Sequence, residues 1–282
     1  MKIAIIIPTY NEERFIGQTL LSLVQQTIRP TQIMVVDDNS TDGTAAIIKQ
    51  FEEKYDNISY IKKESEQVHL PGSKIVQAFN FGLNALTVEY EILCKFDADL
   101  IFPANYLELL VSIFKADSNV GMAGGFCHIL NDEKWILENL TNKDHIRGAL
   151  KAYRRACFEQ ITGLKPAMGW DTLDELLAQY HGWTIKTDES LAVKHLKPTG
   201  KTYSAKSRLK QGEAFYGMRY GLRLTLIASA KLALRKRDFV YFKNCLNGYF
   251  SAKKHNKPFL VNEKEGHFIR ELRWKNIKKK LF

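Results

Sequence analysis

Short apolar runs alternate with helically spaced apolar stripes along the first part of the chain. Ile3 to Pro8 is a continuous run rich in β-branched residues, as expected of a strand buried on both faces of a parallel sheet. Ile16, Leu20, Leu23 and Val24 follow at i, i+4, i+7 and i+8, the stripe of a helix that stops before Pro30. The cycle then repeats. Ile33 to Val36 predicts a second strand, Asn39 to Gly43 a turn and cap, and Thr44 to Phe51 a second helix. Ile58 to Ile61 predicts a third strand. After Pro71-Gly72-Ser73, the residues Ile75, Phe79, Gly82, Leu83 and Leu86 line a helix, and Glu91 to Phe96 predicts a fourth strand. Alternation of this kind implies right-handed crossovers and a three-layer α/β core with a mostly parallel sheet.

Such a sheet receives ligands at the carboxyl ends of its strands, and those ends are polar here. Thr9, Tyr10 and Asn11 follow the first strand, Asp37 and Asp38 end the second, and Asp97 and Asp99 follow the fourth. They are expected to converge on one edge. Neither G-x-G-x-x-G nor G-x-x-x-x-G-K-[ST] occurs, and Gly121 to Gly125 has the wrong spacing for either, so bound phosphates call for a metal. Asp97 and Asp99 occupy alternate positions at a predicted strand end, which points both to one side. Two carboxylates suit Mg²⁺ or Mn²⁺, with water and phosphate oxygens completing the shell.

Three ordered motifs carry a resemblance: Ile7 to Glu12, Val35 to Thr44 and Phe96 to Asp99. Together they resemble the nucleotide-sugar domain of the family-2 inverting glycosyltransferases, which have the GT-A fold, over about the first 200 residues. The resemblance implies a nucleotide-sugar site of Pro8, Thr9, Tyr10, Asn11, Glu12, Asp37, Asp38, Asp97 and Asp99. In it Pro8 to Tyr10 and Asp38 meet the nucleoside, and Asp97 and Asp99 hold the metal and the diphosphate. It also implies a carboxylate base, the Asp of a Glu-Asp pair eleven residues before a Gly. Counting back from Gly182 gives Asp171, with Trp170 where Glu is expected. Asp174 and Glu175 are rivals, since the three share a helix face at i, i+3 and i+4 and crowding by like charge would raise a pKa towards the working range. By the same resemblance His195 is a further metal ligand, and Tyr153-Arg154-Arg155 lines the acceptor side, where an Arg could neutralise phosphate.

Composition adds a compartment and a surface. With 45% hydrophobic and 26% charged residues the chain can bury a substantial core. Cys94, Cys127, Cys157 and Cys245 are scattered without a C-x-x-C pair, so neither a thiolate zinc site nor a disulfide framework is expected, and a reducing, cytoplasmic compartment fits. Met1-Lys2 is followed by too short an apolar run for a signal peptide, and no stretch has the roughly 18 apolar residues of a transmembrane span. The net charge of +10 conceals an imbalance: residues 1–193 hold 18 Lys+Arg against 26 Asp+Glu, and residues 194–282 hold 23 against 5. A segment at +18 seeks phospholipid headgroups, a diphosphate-bearing substrate or nucleic acid. Leu222, Leu226, Ala230 and Ala233 form one helical stripe, and Phe239, Phe242, Leu246, Tyr249 and Phe250 a second, flanked by Arg and Lys. These helices either lie in a headgroup layer or pack against the core.

The expected organisation is a catalytic domain over 1–200 and a basic, aromatic, amphipathic helical extension over 201–282, peripheral on the inner leaflet of the cell membrane. The expected activity is metal-dependent, inverting transfer of a sugar from a nucleoside diphosphate (UDP or another) to a hydroxyl of a saccharide or lipid-linked acceptor, in bacterial polysaccharide or glycolipid assembly. A sugar-phosphate nucleotidyltransferase is the alternative enzyme, but Pro8 to Arg14 is not the Gly-rich basic loop that it needs. A nucleic-acid or anionic-surface binding module, with Trp274, Phe250 or Tyr249 stacking on bases, lacks a reading motif. The acidic first part would repel the polymer, so nucleic acid is not an expected partner.

Overall fold

The computed structural model describes residues 1–64, 72–138, 143–197 and 205–281. It opens with β1 (Ile3–Thr9), α1 (Ile16–Val24), β2 (Gln32–Asp37), α2 (Thr44–Lys54), β3 (Ile58–Lys62), α3 (Ser73–Ala85) and β4 (Ile92–Phe96), the alternation read from the sequence. β1 pairs in parallel with β2 and β4, and β2 in parallel with β3. Every residue of β1, β2 and β4 is buried, as helices covering both faces require. The pleat sorts the side chains. Ile3, Ile5 and Ile7 join Ile16, Leu20 and Leu23 of α1 in one core, while Ala4 and Ile6 join Val76 and Phe79 of α3 in the other.

The second half of the sheet is mixed. β5 (Leu100–Ile101), α4 (Tyr106–Ala116), β6 (Val120–Asn131), β7 (Lys134–Leu137), β8 (Leu150–Arg154), α5 (Arg155–Gln160), α6 (Trp170–Tyr180) and β9 (Thr184–His195) complete it. The strand order is β3-β2-β1-β4-β8-β6-β9-β5, with β7 on β6. β8 runs antiparallel to β4 and β6, whereas β9 is parallel to β6. Gly121 to Gly125 lies inside β6 and is a packing device. A Cβ on Gly125 would stand 1.7 Å from the Leu191 carbonyl oxygen, so β9 can approach only because none is present.

Four helices follow: α7 (Ala205–Gly217), α8 (Gly221–Lys236), α9 (Phe239–Lys254) and α10 (Glu263–Leu281). Phe215, Met218, Tyr220, Leu224, Tyr249 and Ile269 share one core with Ile6, Val36 and Trp170, so the inner faces of these helices pack on the α3–α6 layer. The two stripes read from the sequence are divided by this packing. Ala233 and Tyr249 are buried, while Leu222, Leu226, Phe239 and Phe250 are exposed. Among the described residues no helix is long and apolar enough to cross a membrane.

Candidate active site

The ends of β1 and β2 are tied together by short polar bonds. The Thr9 hydroxyl donates to the Val36 carbonyl at 2.9 Å, and the Asp38 amide donates to the Thr9 carbonyl at 2.8 Å. Asp37 is buried and accepts the Ser40 amide at 2.8 Å and the Tyr60 hydroxyl at 3.1 Å. Burial and that carboxylate push the Tyr60 hydroxyl up to about 12. Asp38 pairs with Lys63 at 2.9 Å. Asn11, at a φ of 53°, accepts the Thr41 amide at 2.8 Å and so fastens the loop after β1 to the loop after β2. Pro8 is buried in β1, and Tyr10 stands half exposed beside it. Glu12 reaches Lys197 at 2.7 Å with one oxygen; the other is buried without a hydrogen-bond partner among the described residues. Burial raises its pKa against the pull of Lys197, and the charges of Asp99 and Asp97 add to the rise. The predicted residues therefore do meet along one sheet edge.

β4 ends at Phe96, so Asp97 and Asp99 lie in a bend and the strand-alternation argument does not apply to them. Asp97 is partly exposed and pairs with Lys95. Asp99 is buried, with Oδ2 3.4 Å from His195 Nε2 and Oδ1 without a hydrogen-bond partner among the described residues. An orphaned carboxylate oxygen beside an imidazole nitrogen is a donor set that fits Mg²⁺ or Mn²⁺. His195 is turned to face Asp99 from behind: its Nδ1 lies 2.7 Å from Glu138 Oε2, and Glu138 is held by Arg147. Cys127, Glu138 and His195 also bring ligand atoms within 4.8 Å of one another. Burial pushes the Cys127 thiol up to about 12, however, and Glu138 is already engaged with His195 and Arg147, so Glu138 backs the histidine. A carboxylate behind a metal-binding histidine sets its tautomer and direction. Glu138→Gln is accordingly expected to weaken Mn²⁺ binding about 10- to 100-fold by isothermal titration; an unchanged affinity would remove Glu138 from that role.

The three carboxylates of α6 are separated by burial. Asp174 is fully buried and saturated, with Oδ1 2.8 Å from Lys151 Nζ and Oδ2 accepting the Tyr153 hydroxyl at 2.6 Å. Burial, aided by Glu175 and opposed by Lys151, raises its pKa to about 7. Glu175 accepts the Ile146 amide at 2.8 Å, Lys151 at 3.1 Å and His145 Nδ1 at 2.9 Å. Asp171 alone opens to solvent, with its side chain 33% exposed, and His145 Nε2 lies 3.7 Å from its Oδ2. Like-charge crowding does not raise Asp171 as expected. Burial acts upwards, but the neighbouring His145 imidazole and the Lys151 charge outweigh it and leave Asp171 below the usual carboxylate range.

His145 thus bridges Glu175 and Asp171, with the charge of Lys151 opposing its protonation. Burial lowers its pKa, but the two carboxylates prevail and carry it from 6.5 up to about 9. A raised pKa stabilises the fold fully below the unfolded value of 6.5, and that stability is lost as pH rises through about 9. The shift is worth about 3 kcal/mol. The melting temperature of the wild type should fall across this window, while that of His145→Gln should start lower and stay nearly flat. Parallel curves for the two proteins would contradict the assignment.

Beneath this group lies a pair that the sequence hides. Lys95 in β4 and Lys151 in β8 are cross-strand neighbours, and both are buried. Their strand neighbours Cys94, Phe96, Leu150 and Ala152 point into the α1–α4 core, so the pleat turns both lysines towards α6. The Trp170 ring lies 5.5 Å from one ammonium and 5.9 Å from the other. Lys95 binds Asp97, and Lys151 binds Asp174, Glu175 and the Asp171 carbonyl. The Trp at the position expected to be Glu therefore packs against both ammonium groups. Tyr153, Arg154 and Arg155 have other duties: Tyr153 is buried on Asp174, Arg154 donates to the Val120 and Phe114 carbonyls, and Arg155 pairs with Glu159. The phosphate role expected of an Arg there finds no support.

A half-parallel, half-mixed sheet between helical layers, with an Asp-x-Asp bend at its carboxyl edge, defines the GT-A class of nucleotide-sugar transferase folds. Residues 4–164 match the family described as Glycosyl transferase family 2, and the chain belongs to that family. The mannosyltransferase PcManGT from Pyrobaculum calidifontis, solved with GDP-Man and Mn²⁺, aligns with a TM-score of 0.58 at 16% identity, covering 100% of this chain and 81% of that one. Residues 1–349 of S. aureus TarS, solved with UDP-GlcNAc, align at 0.58 and 20% identity, covering 89% and 73%. In sequence, the glycosyltransferase GlyA of Streptococcus pneumoniae is 31% identical over a 185-residue alignment that covers 57% of this chain and 25% of GlyA. The chain spans a quarter to a half of the length of GlyA and two further curated relatives that it matches.

Proposed function

We propose that this chain transfers a sugar from a nucleoside-diphosphate donor to a hydroxyl group, with inversion at the anomeric carbon. One observation carries the reading. The chain holds both a partly exposed carboxylate, Asp171, whose pKa His145 and Lys151 pull down, and a buried one, Asp99, which faces the His195 imidazole and has an oxygen without a hydrogen-bond partner among the described residues. The first suits a base for an acceptor, and the second suits a divalent ion with its phosphates. The complexes of PcManGT with GDP-Man and Mn²⁺ and of TarS with UDP-GlcNAc support a nucleotide-sugar donor and a divalent metal.

The donor lies along Pro8, Thr9, Tyr10, Asn11, Glu12, Asp37 and Asp38, where the two fastened loops make one rigid edge. Asp99, His195 and Asp97 would hold Mg²⁺ or Mn²⁺, Asp97 through the oxygen that Lys95 leaves open. When bound, the ion supplies positive charge for the departing diphosphate. Asp171, ionised and fixed by His145, takes the proton of the acceptor hydroxyl at its carboxylate. The acceptor oxygen then bonds to the anomeric carbon as the carbon–oxygen bond to diphosphate breaks, from the opposite face, which inverts the centre. Lys151 and His145 keep Asp171 anionic while it waits. Proton NMR of the first-formed glycoside tests the reading: the anomeric configuration should be opposite to that of the donor, and retention would refute it.

The acceptor is a saccharide or a lipid-linked glycan, in bacterial polysaccharide or glycolipid assembly, and the enzyme works in the cytoplasm as a peripheral protein on the inner leaflet. The +18 charge of residues 194–282 supports that placement. Residues 1–200 act as the catalytic domain and 201–282 as the extension that brings it to the surface.

A further inference from the structure

α8 and α9 meet at a corner that runs Leu234-Arg235-Lys236-Arg237-Asp238-Phe239-Val240. Phe239, Leu234 and Val240 are 84%, 74% and 58% exposed, more than any other large hydrophobic residue among those described. The backbone builds this exposure. Arg237 turns left-handed at a φ of 50° and ends α8, and Asp238 caps α9 by accepting the Tyr241 amide at 3.2 Å. Phe239 and Val240 are thus lifted out as the first residues of α9, before its buried stripe of Tyr241, Cys245, Tyr249 and Ala252 begins. Packing onto the core cannot explain them, because α8 and α9 already use their other faces for it.

The surrounding charge says what covers the corner. Residues 221–254 contain eight Lys and Arg against one acid, Asp238, which is held by Arg208 at 3.0 Å. The outer face of α8 continues the pattern, with Leu222, Leu226 and Ile227 exposed among Arg223, Lys231 and Arg235. A second copy of so cationic a face would be repelled, and a polyanion in water would leave the apolar tip uncovered. An anionic bilayer satisfies both parts, phosphates for the cations and the acyl boundary for the apolar side chains.

We infer that the α8–α9 corner is a membrane-docking element in which Leu234, Phe239 and Val240 enter an anionic leaflet while Arg235, Lys236 and Arg237 contact its headgroup phosphates. This deepens the peripheral placement proposed above and rests on it. The Arg208–Asp238 pair joins the corner to α7, the first described helix after His195, so docking also sets how the metal edge of the sheet faces the surface.

Sedimentation of the full chain with vesicles of phosphatidylcholine, with and without phosphatidylglycerol, tests this at low salt. Wild type should bind the anionic vesicles and release them as salt rises. The triple variant Leu234→Ser, Phe239→Ser, Val240→Ser should bind about tenfold or more weakly, with its circular dichroism and its Mn²⁺ binding unchanged. Phe239→Trp should be quenched by brominated acyl chains. Undiminished vesicle binding by the triple variant would overturn the corner and leave peripheral placement standing; failure of wild type to bind would overturn both. Self-association of wild type that the triple variant abolishes would assign the corner to a second copy and likewise overturn the inference.

Discussion

Replacing Asp171 by asparagine is expected to lower kcat about 10³-fold, within the range general base catalysis supplies, while donor affinity changes less than about threefold. Both halves follow from position. Asp171 is the α6 carboxylate that solvent reaches, and asparagine keeps its shape but cannot accept the acceptor proton. The proposed donor edge is built by the ends of β1 and β2 and not by α6, so binding there should depend little on this charge. The rivals should behave differently. Asp174→Asn or Glu175→Gln removes a partner of the fully buried Lys151, and breaking a buried pair typically costs about 3–5 kcal/mol. These two variants should lose melting temperature before they lose turnover per folded molecule. Steady-state kinetics beside thermal melts would decide it, and an Asp171→Asn enzyme of near wild-type turnover would transfer the base role elsewhere.

Asp99→Ala, or chelation of divalent ions, should abolish transfer to a comparable extent, about 10³-fold, equivalent to about 4 kcal/mol of lost charge stabilisation on the leaving group. The buried Oδ1 of Asp99, unpartnered among the described residues, is the reason to expect so large an effect. A buried carboxylate oxygen lacking any donor is costly unless a cation completes it. Chelated wild type should recover with Mn²⁺ or Mg²⁺, whereas Asp99→Ala should not recover at any concentration. Titrating the metal against donor hydrolysis separates the two, and full activity of the variant without added metal would dismiss the site.

The first four strands and their helices were legible because the signal is local. An apolar run or an i, i+4, i+7 stripe needs only its own residues, so β1 to β4 appear where the pattern places them. The polar strand ends were legible for the same reason. Beyond β4 the pattern fails, since β8 and β9 pair with β4 and β6 across long separations and the glycines of β6 serve close strand approach, which no window of sequence displays. Lys95 and Lys151 were missed because each sits inside an apolar run, and only their register shows that they share a face below Trp170. His145 and Glu138 were missed because each acts on a residue far along the chain, Glu175 thirty positions on and His195 fifty-seven.

Residue order by itself determined the α/β layering, the acidic edge and the basic amphipathic end of the chain, because hydrophobic periodicity and charge counts are properties of neighbours. The tertiary structure decided which carboxylate of α6 opens to solvent, which oxygen of Asp99 has no partner, and which apolar residues of α8 and α9 face outwards. Each of these is a difference in burial or in distant charge, and burial exists only once the chain has closed on itself.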